Sequence, residues 1–158
     1  VKISLTEVEQ QLSELISEAK QSLSERSGFI DKKMDKRSAR EIQRQGFGAE
    51  LAVCKLLGVY PDLSPHYSDC DFTWNGKTVD VKSRRPDDAA LIIPGHQINK
   101  QKDLYILVTG EFPEYDVKAF VGKERVFLEK NIKQIWGKDK YIVEQDEMTS
   151  MEFWGILC

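Results

Sequence analysis

The chain has 158 residues, 41% of them hydrophobic and 31% charged, with a formal net charge of -3 at pH 7; that is about one domain, long enough to bury a core without disulfides or a structural metal. No apolar run approaches the roughly 20 residues that span a bilayer, and Cys54, Cys70 and Cys158, an odd set with no CxxC pair, argue against a disulfide framework and a zinc cage. The acidic balance excludes a general polyanion binder, and the chain opens without a charged and apolar leader pattern, so the expected compartment is a reducing cytoplasm.

From Leu5, the residues Val8, Leu12, Leu15, Ile16, Ala19 and Leu23 recur at helical spacing, with Ser4 as a candidate N-cap and Gly28 as a stop. This amphipathic helix packs on its own domain or, alternatively, forms a homodimer or partner contact. After a polar, basic stretch at 31–37, Ser38 and Glu41 make a capping box that opens a second helix running to Leu57 and Gly58. A loop with Pro61 and Pro65 follows, and then the period drops to two. Residues 69–74 and 77–84 alternate around Asn75-Gly76, a strong hairpin signal. Residues 91–93 read as a short strand ended by Pro94, 96–102 as a short helix, 103–109 as a buried strand, 116–121 as another strand and 123–136 as a helix. The order predicts a mixed α/β domain whose helices cover a central sheet. It divides into an N-terminal helix and basic linker (1–37), a core (38–121) and a C-terminal extension (122–158).

Counting outward from Asn75-Gly76 sets Phe72 opposite Val79, Asp71 opposite Asp80 and Asp69 opposite Lys82. Side chains alternate across a strand, so Cys70, Phe72, Trp74, Val79 and Val81 share one face and Asp69, Asp71, Asp80 and Lys82 the other. Two carboxylates about 5 Å apart repel by roughly 3 kcal/mol at an effective dielectric of 20. A shared proton, Lys82 or a hard divalent cation could offset this; the cation answers the geometry best and suits phosphate chemistry. The competing reading is a solvated polar face on an edge hairpin. The acid-x-lysine pattern also occurs at Glu18-Ala19-Lys20, Asp31-Lys32-Lys33 and Asp116-Val117-Lys118. Only Asp80 has a predicted acid opposite it.

On the second helix, Phe47, Leu51, Cys54 and Leu57 form the inward stripe, and Glu50 falls within its arc. Buried carboxylates are paired or metal-bound, so Glu50 either joins the hairpin acids or reaches water at the stripe's edge. Gly46 and Gly48 each cost about 1 kcal/mol inside a helix, which points to close backbone approach here.

A helix bearing Glu50, an Asn-Gly hairpin carrying Asp71 and Asp80-Val81-Lys82, a Gln-bearing helix and an apolar strand resemble the PD-(D/E)xK, or restriction-endonuclease-like, nucleases over about residues 38–121. Cys70 stands where that signature has proline. The resemblance implies a mixed central sheet flanked by helices in an α-β-β-β-α-β order, here with an N-terminal helical extension. It also implies metal ligation by Asp71, Asp80 and the Val81 carbonyl, with Lys82 placing and polarising the attacking water. Glu50 matches the extra helix acid of many members, and Gln97 the glutamine some branches carry after the hairpin. The implied activity is a Mg²⁺- or Mn²⁺-dependent deoxyribonuclease, an endonuclease hydrolysing phosphodiester bonds in DNA. A catalytically silent nucleic-acid-binding or assembly module of the same fold is the alternative, and a metal-free structural domain a third.

For substrate capture, residues 32–44 carry a net +4, including Lys36, Arg37, Arg40 and Arg44, and Arg84, Arg85 and Lys100 lie near the proposed site in sequence. Such a cluster contacts phosphates without reading bases, or else is a solvated helix face. His66 and His96 lack any paired ligand spacing, and Tyr67, Trp74 and Tyr105 read as core or rim residues. Cys54 and Cys70 read as small core residues.

Overall fold

The structure, a computed structural model, describes residues 1–26, 38–66 and 68–153. The expected helix stop at Gly28, the linker cations Lys36 and Arg37, and Tyr67 lie outside the described residues. Among the described residues no helix is long and apolar enough to cross a membrane.

A short strand, β1 (Lys2–Ser4), precedes helix α1 (Glu7–Arg26). The helix therefore starts later than its apolar spacing suggested. Thr6, not Ser4, caps it: the Glu9 carboxylate accepts from the Thr6 N–H at 2.6 Å, and the Glu9 N–H donates to Thr6 Oγ1 at 3.4 Å. Ser4 belongs to the strand ladder instead. The inward face of α1 also differs from expectation. Ser13 and Ser17 are fully buried, whereas Val8 and Leu15 are 74% and 64% exposed. Each serine hydroxyl donates to the carbonyl one turn back, Ser13 to Glu9 at 2.9 Å and Ser17 to Ser13 at 2.6 Å. Small side chains so satisfied let the helix lie close to its neighbour with no unpaired hydroxyl.

Helix α2 (Ala39–Leu57) forms as the capping box predicts, with Ser38 and Glu41 bonded reciprocally and Gly58 ending it at φ 66°. The expected close approach falls on Gly48 alone. A Cβ there would stand 2.2 Å from the Tyr115 hydroxyl, while Gly46 has nothing within 4 Å.

The hairpin of β2 (Phe72–Trp74) and β3 (Lys77–Arg84) has the predicted register, Phe72 with Val79 and Trp74 with Lys77. Asn75 and Gly76 adopt φ 47° and 75°, the left-handed pair such a two-residue turn requires. β2 is shorter than expected because the Val81 N–H donates to the Asp71 carboxylate at 2.6 Å, where a longer strand would present a peptide carbonyl.

Strand β4 (Leu91–Pro94) departs from the expected central sheet. It is followed by a 3₁₀ segment (Gly95–Lys100) where a helix was expected, then by β5 (Leu104–Glu111), β6 (Glu114–Gly122) and a single turn, α3 (Lys123–Val126). The helix expected over 123–136 does not form. The Asn131 side-chain amide donates to the Arg125 and Val126 carbonyls at 2.7 and 3.0 Å, closing the turn. β7 (Ile132–Ile135) and β8 (Lys138–Val143) then pair around Trp136-Gly137, both at positive φ. A final short strand, β9 (Thr149–Ser150), pairs with β6.

The architecture is mixed α/β. The main sheet runs β1-β6-β5-β3-β2, with β3 and β5 parallel, and the second sheet runs β4-β8-β7. One face of the main sheet, with Val79, Val81, Ile106, Val108 and Val117, packs on Ala49, Ala52, Val53 and Cys54 of α2. The other, with Tyr105, Leu107, Ala119 and Val121, is covered mainly by Leu91, Ile93, Tyr141 and Val143 of the second sheet, with Val126 of the single-turn α3. β5 is thus buried on both faces from Leu104 to Thr109, as its unbroken apolar run predicts.

Candidate active site

Three carboxylates from different elements converge where α2 meets the β2–β3 hairpin. Asp80 is buried in mid-strand β3, Asp71 immediately precedes β2, and Glu50, its side chain 19% exposed, projects from α2. Burial pushes the Asp71 carboxyl up to about 6, and the charge of Asp80 adds to the shift; the Val81 N–H and Lys82 oppose it. Burial likewise pushes Glu50 up to about 8, with Asp71 and then Asp80 contributing against Lys20 and Lys82. Cys54, one turn beyond Glu50, is forced up to about 12 by burial and then by Glu50 and Asp71. It is an inert core thiol, as its position in the stripe predicts.

The paired carboxylates elsewhere shift the opposite way. Asp116, in the rival Asp116-Val117-Lys118 pattern, is held below its usual range by Lys118 and the N-terminal ammonium against a desolvation that raises it. Lys118 bridges Asp116 and Asp87 at 2.8 and 2.6 Å. Asp103 is held low by Lys123 and by Thr78. These acids are dominated by their counter-charges; at Glu50 and Asp71 burial, together with the repulsion between the acids, outweighs the pull of Lys20 and Lys82.

Lys82 lies 2.5 Å from Asp80 Oδ2. The contact is off the line of a hydrogen bond, so this buried oxygen is left without a hydrogen-bond partner. A second cation is Lys20 of α1, 3.9 Å from Glu50 Oε2 and 5.0 Å from the centre of the Phe47 ring. The acid-x-lysine pattern Glu18-Ala19-Lys20 does not point to it; the signal that does is the i, i+4, i+7 stripe of Ser13, Ser17 and Lys20, which turns the lysine inward.

The other candidates are more dispersed. Gln97 stands on the 3₁₀ segment after β4, and no hydrogen bond joins it to the acids. Asp69 is exposed in the bend before β2. Arg40 pairs with Glu14 and Glu18 at 2.9 and 2.6 Å, and Arg44 with Glu14 at 2.7 Å while stacking on Phe112. The described part of the expected basic stripe is therefore engaged with acids of α1. Arg85 pairs with Glu111 at 3.0 Å, Arg84 is half-buried at the end of β3, and Lys100 is exposed.

Among the described residues no three His, Cys, Asp or Glu groups stand close enough to make a ready metal cage. The donor set is nonetheless chemically suited to a hard cation: carboxylate oxygens of Glu50, Asp71 and Asp80, the last already holding the Lys82 ammonium at 2.5 Å. Mg²⁺ needs only one or two carboxylates and keeps much of its water, so it does not require a closed cage. No family model, curated protein or solved structure matches the chain.

Proposed function

We propose that the chain is a divalent-metal-dependent nuclease, hydrolysing phosphodiester bonds in DNA, with a core of the restriction-endonuclease-like kind. The observation that carries this reading is the grouping of Glu50, Asp71 and Asp80 in a partly desolvated site beside Lys82. Asp71 and Asp80, with the Val81 carbonyl and Glu50 beside them, would hold Mg²⁺ or Mn²⁺. When bound, that ion supplies charge neutralisation at phosphorus and a water acidic enough to attack at neutral pH.

The chain's own residues do the positioning. The hairpin fixes Asp71 against β3 through the Val81 N–H, so the carboxylate is preorganised rather than ordered on binding. Lys82, on the Asp80 face two residues along the strand, stays close to the acids and presents its ammonium to the water or the scissile phosphate. Beside a carboxylate it acts as a cation rather than a base. On the neighbouring strand β5, Tyr105 and Leu107 stand in register with Asp80 and Lys82, and both are fully buried.

The reading is tested by comparing the wild type with Asp80→Ala and Lys82→Ala on single-stranded, nicked, branched and duplex DNA in Mn²⁺. The wild type is expected to cut at least one form, with losses of at least about 100-fold in either variant. If the wild type cuts none while still binding DNA, the same fold serves as a silent binding or assembly module; equal cutting by the variants removes the site from the chemistry.

A further inference from the structure

Helix α1 is held against α2 by ion pairs that share one polarity. The acids Glu9, Glu14 and Glu18 lie on α1, and the cations Lys55, Arg40 and Arg44 lie on or beside α2, at 2.6 to 2.9 Å. Lys20 to Glu50 runs the other way, with the cation on α1 and the acid on α2. It is also the widest of these contacts, at 3.9 Å, and it sits where the carboxylates of the proposed site gather.

Lys20 is therefore not another link in the zipper. Its ammonium lies near the Phe47 ring, which favours a cation through the ring's quadrupole, while its side chain remains 29% exposed. The other cation of the site, Lys82, is more tightly engaged, with Asp80 at 2.5 Å, and the expected substrate-binding arginines Arg44 and Arg85 are paired with Glu14 at 2.7 Å and Glu111 at 3.0 Å. Lys20 is thus a cation turned toward the site, partly open to solvent, held loosely by Glu50 among the described residues and felt by Asp71.

We propose that Lys20 binds a phosphate oxygen of the nucleic-acid backbone at this site, making α1 part of the substrate-binding surface. The inference rests on the nuclease reading. An ammonium 3.9 Å from a carboxylate has not surrendered its donors, and a phosphodiester oxygen entering beside the acids is a better partner than water. Methionine at position 20 preserves the stem over Phe47 and removes only the charge.

The test uses whichever DNA form the wild type cuts, with steady-state kinetics in Mn²⁺ and binding measured by anisotropy across a salt series with Ca²⁺ replacing Mn²⁺. Lys20→Met is expected to raise KM about tenfold, to leave kcat within about threefold, and to reduce the slope of log affinity against log salt by about 0.9, one phosphate contact. Lys20→Arg is expected to keep the slope. Lys55→Met removes an α1–α2 ion pair to Glu9 and is expected to leave both KM and slope unchanged. A wild-type slope in Lys20→Met, or the same change in Lys55→Met, overturns the role of Lys20 while the nuclease stands. A wild type that neither binds nor cuts any DNA form overturns the nuclease reading and this inference with it.

Discussion

Asp71→Asn is expected to lower Mn²⁺-dependent cleavage by at least about 1,000-fold while raising the melting temperature of the protein in EDTA. Both effects follow from one carboxylate. The loss of activity reflects a missing ligand at the proposed ion site, where charge stabilisation at phosphorus has no substitute. The gain in stability follows from proton linkage. In the folded protein Asp71 titrates at about 6, above its ordinary 3.8, so the folded state holds the proton more tightly than the unfolded chain. That contribution is complete below about 3.8 and is lost as the pH rises through about 6. Glu50, raised from 4.5 to about 8, extends the loss toward pH 8. Without metal, the wild type is therefore expected to grow less stable from about pH 4 to about pH 8.

Asparagine keeps the oxygen that accepts from the Val81 N–H and removes the charge, so at pH 8 the variant should melt on the order of 5 °C higher in EDTA. Melting curves across this pH range, paired with a cleavage assay, check both signs. A lower melting temperature would contradict the stability argument, and unchanged cutting would remove Asp71 from the proposed ion site.

Gly48→Val is expected to destabilise the fold by about 3 kcal/mol or more, measured by denaturant unfolding. Even the Cβ alone would lie 2.2 Å from the Tyr115 hydroxyl and 3.0 Å from the Phe112 ring. Tyr115 is buried in β6 and donates its hydroxyl proton to the Gln45 carbonyl at 3.1 Å. The Gln45 side chain in turn bonds the Gly110 carbonyl and the Phe112 N–H at 3.0 and 2.9 Å, tying α2 to the β5–β6 turn. A larger side chain pushes the helix off this network, and the hydroxyl and amide groups left unpaired in the interior add their desolvation to the steric strain. Glu50 is two residues further along the same helix, so cleavage should fall with stability. Gly46→Ala, with nothing within 4 Å of the added atom, provides the matched control and should be neutral or slightly stabilising.

What the sequence made legible was what local chemistry decides. Ser38 and Glu41 reciprocally cap α2, and Gly58 can take the left-handed conformation that ends it. Asn75-Gly76 sets the hairpin register as far as Phe72 and Val79; beyond it the ladder does not continue, and Asp71 is held near Asp80 by the Val81 N–H instead. Elements whose identity depends on distant partners were not legible. The four residues of β4 read as a strand, but pairing with β8, some 50 residues later, decides which sheet they enter. The apolar spacing after Lys123 fits a helix for one turn, until Asn131 takes its last carbonyls and Trp136-Gly137 folds the rest into a hairpin. On α1 the apolar spacing marks a stripe of which Leu12, Ile16 and Ala19 are partly buried and Val8 and Leu15 exposed, while the most buried positions are two self-satisfied serines that no apolar pattern signals. The same serine stripe turns Lys20 toward α2.

The most direct test of the central claim is the anomalous difference density of a crystal soaked in Mn²⁺. One peak is expected about 2.1 Å from oxygens of Asp71 and Asp80, with Glu50 alongside and the Lys82 ammonium moved off Asp80 Oδ2. Lys82 still seated on that oxygen with no peak between the hairpin and α2, or Mn²⁺ bound only elsewhere, would contradict the account.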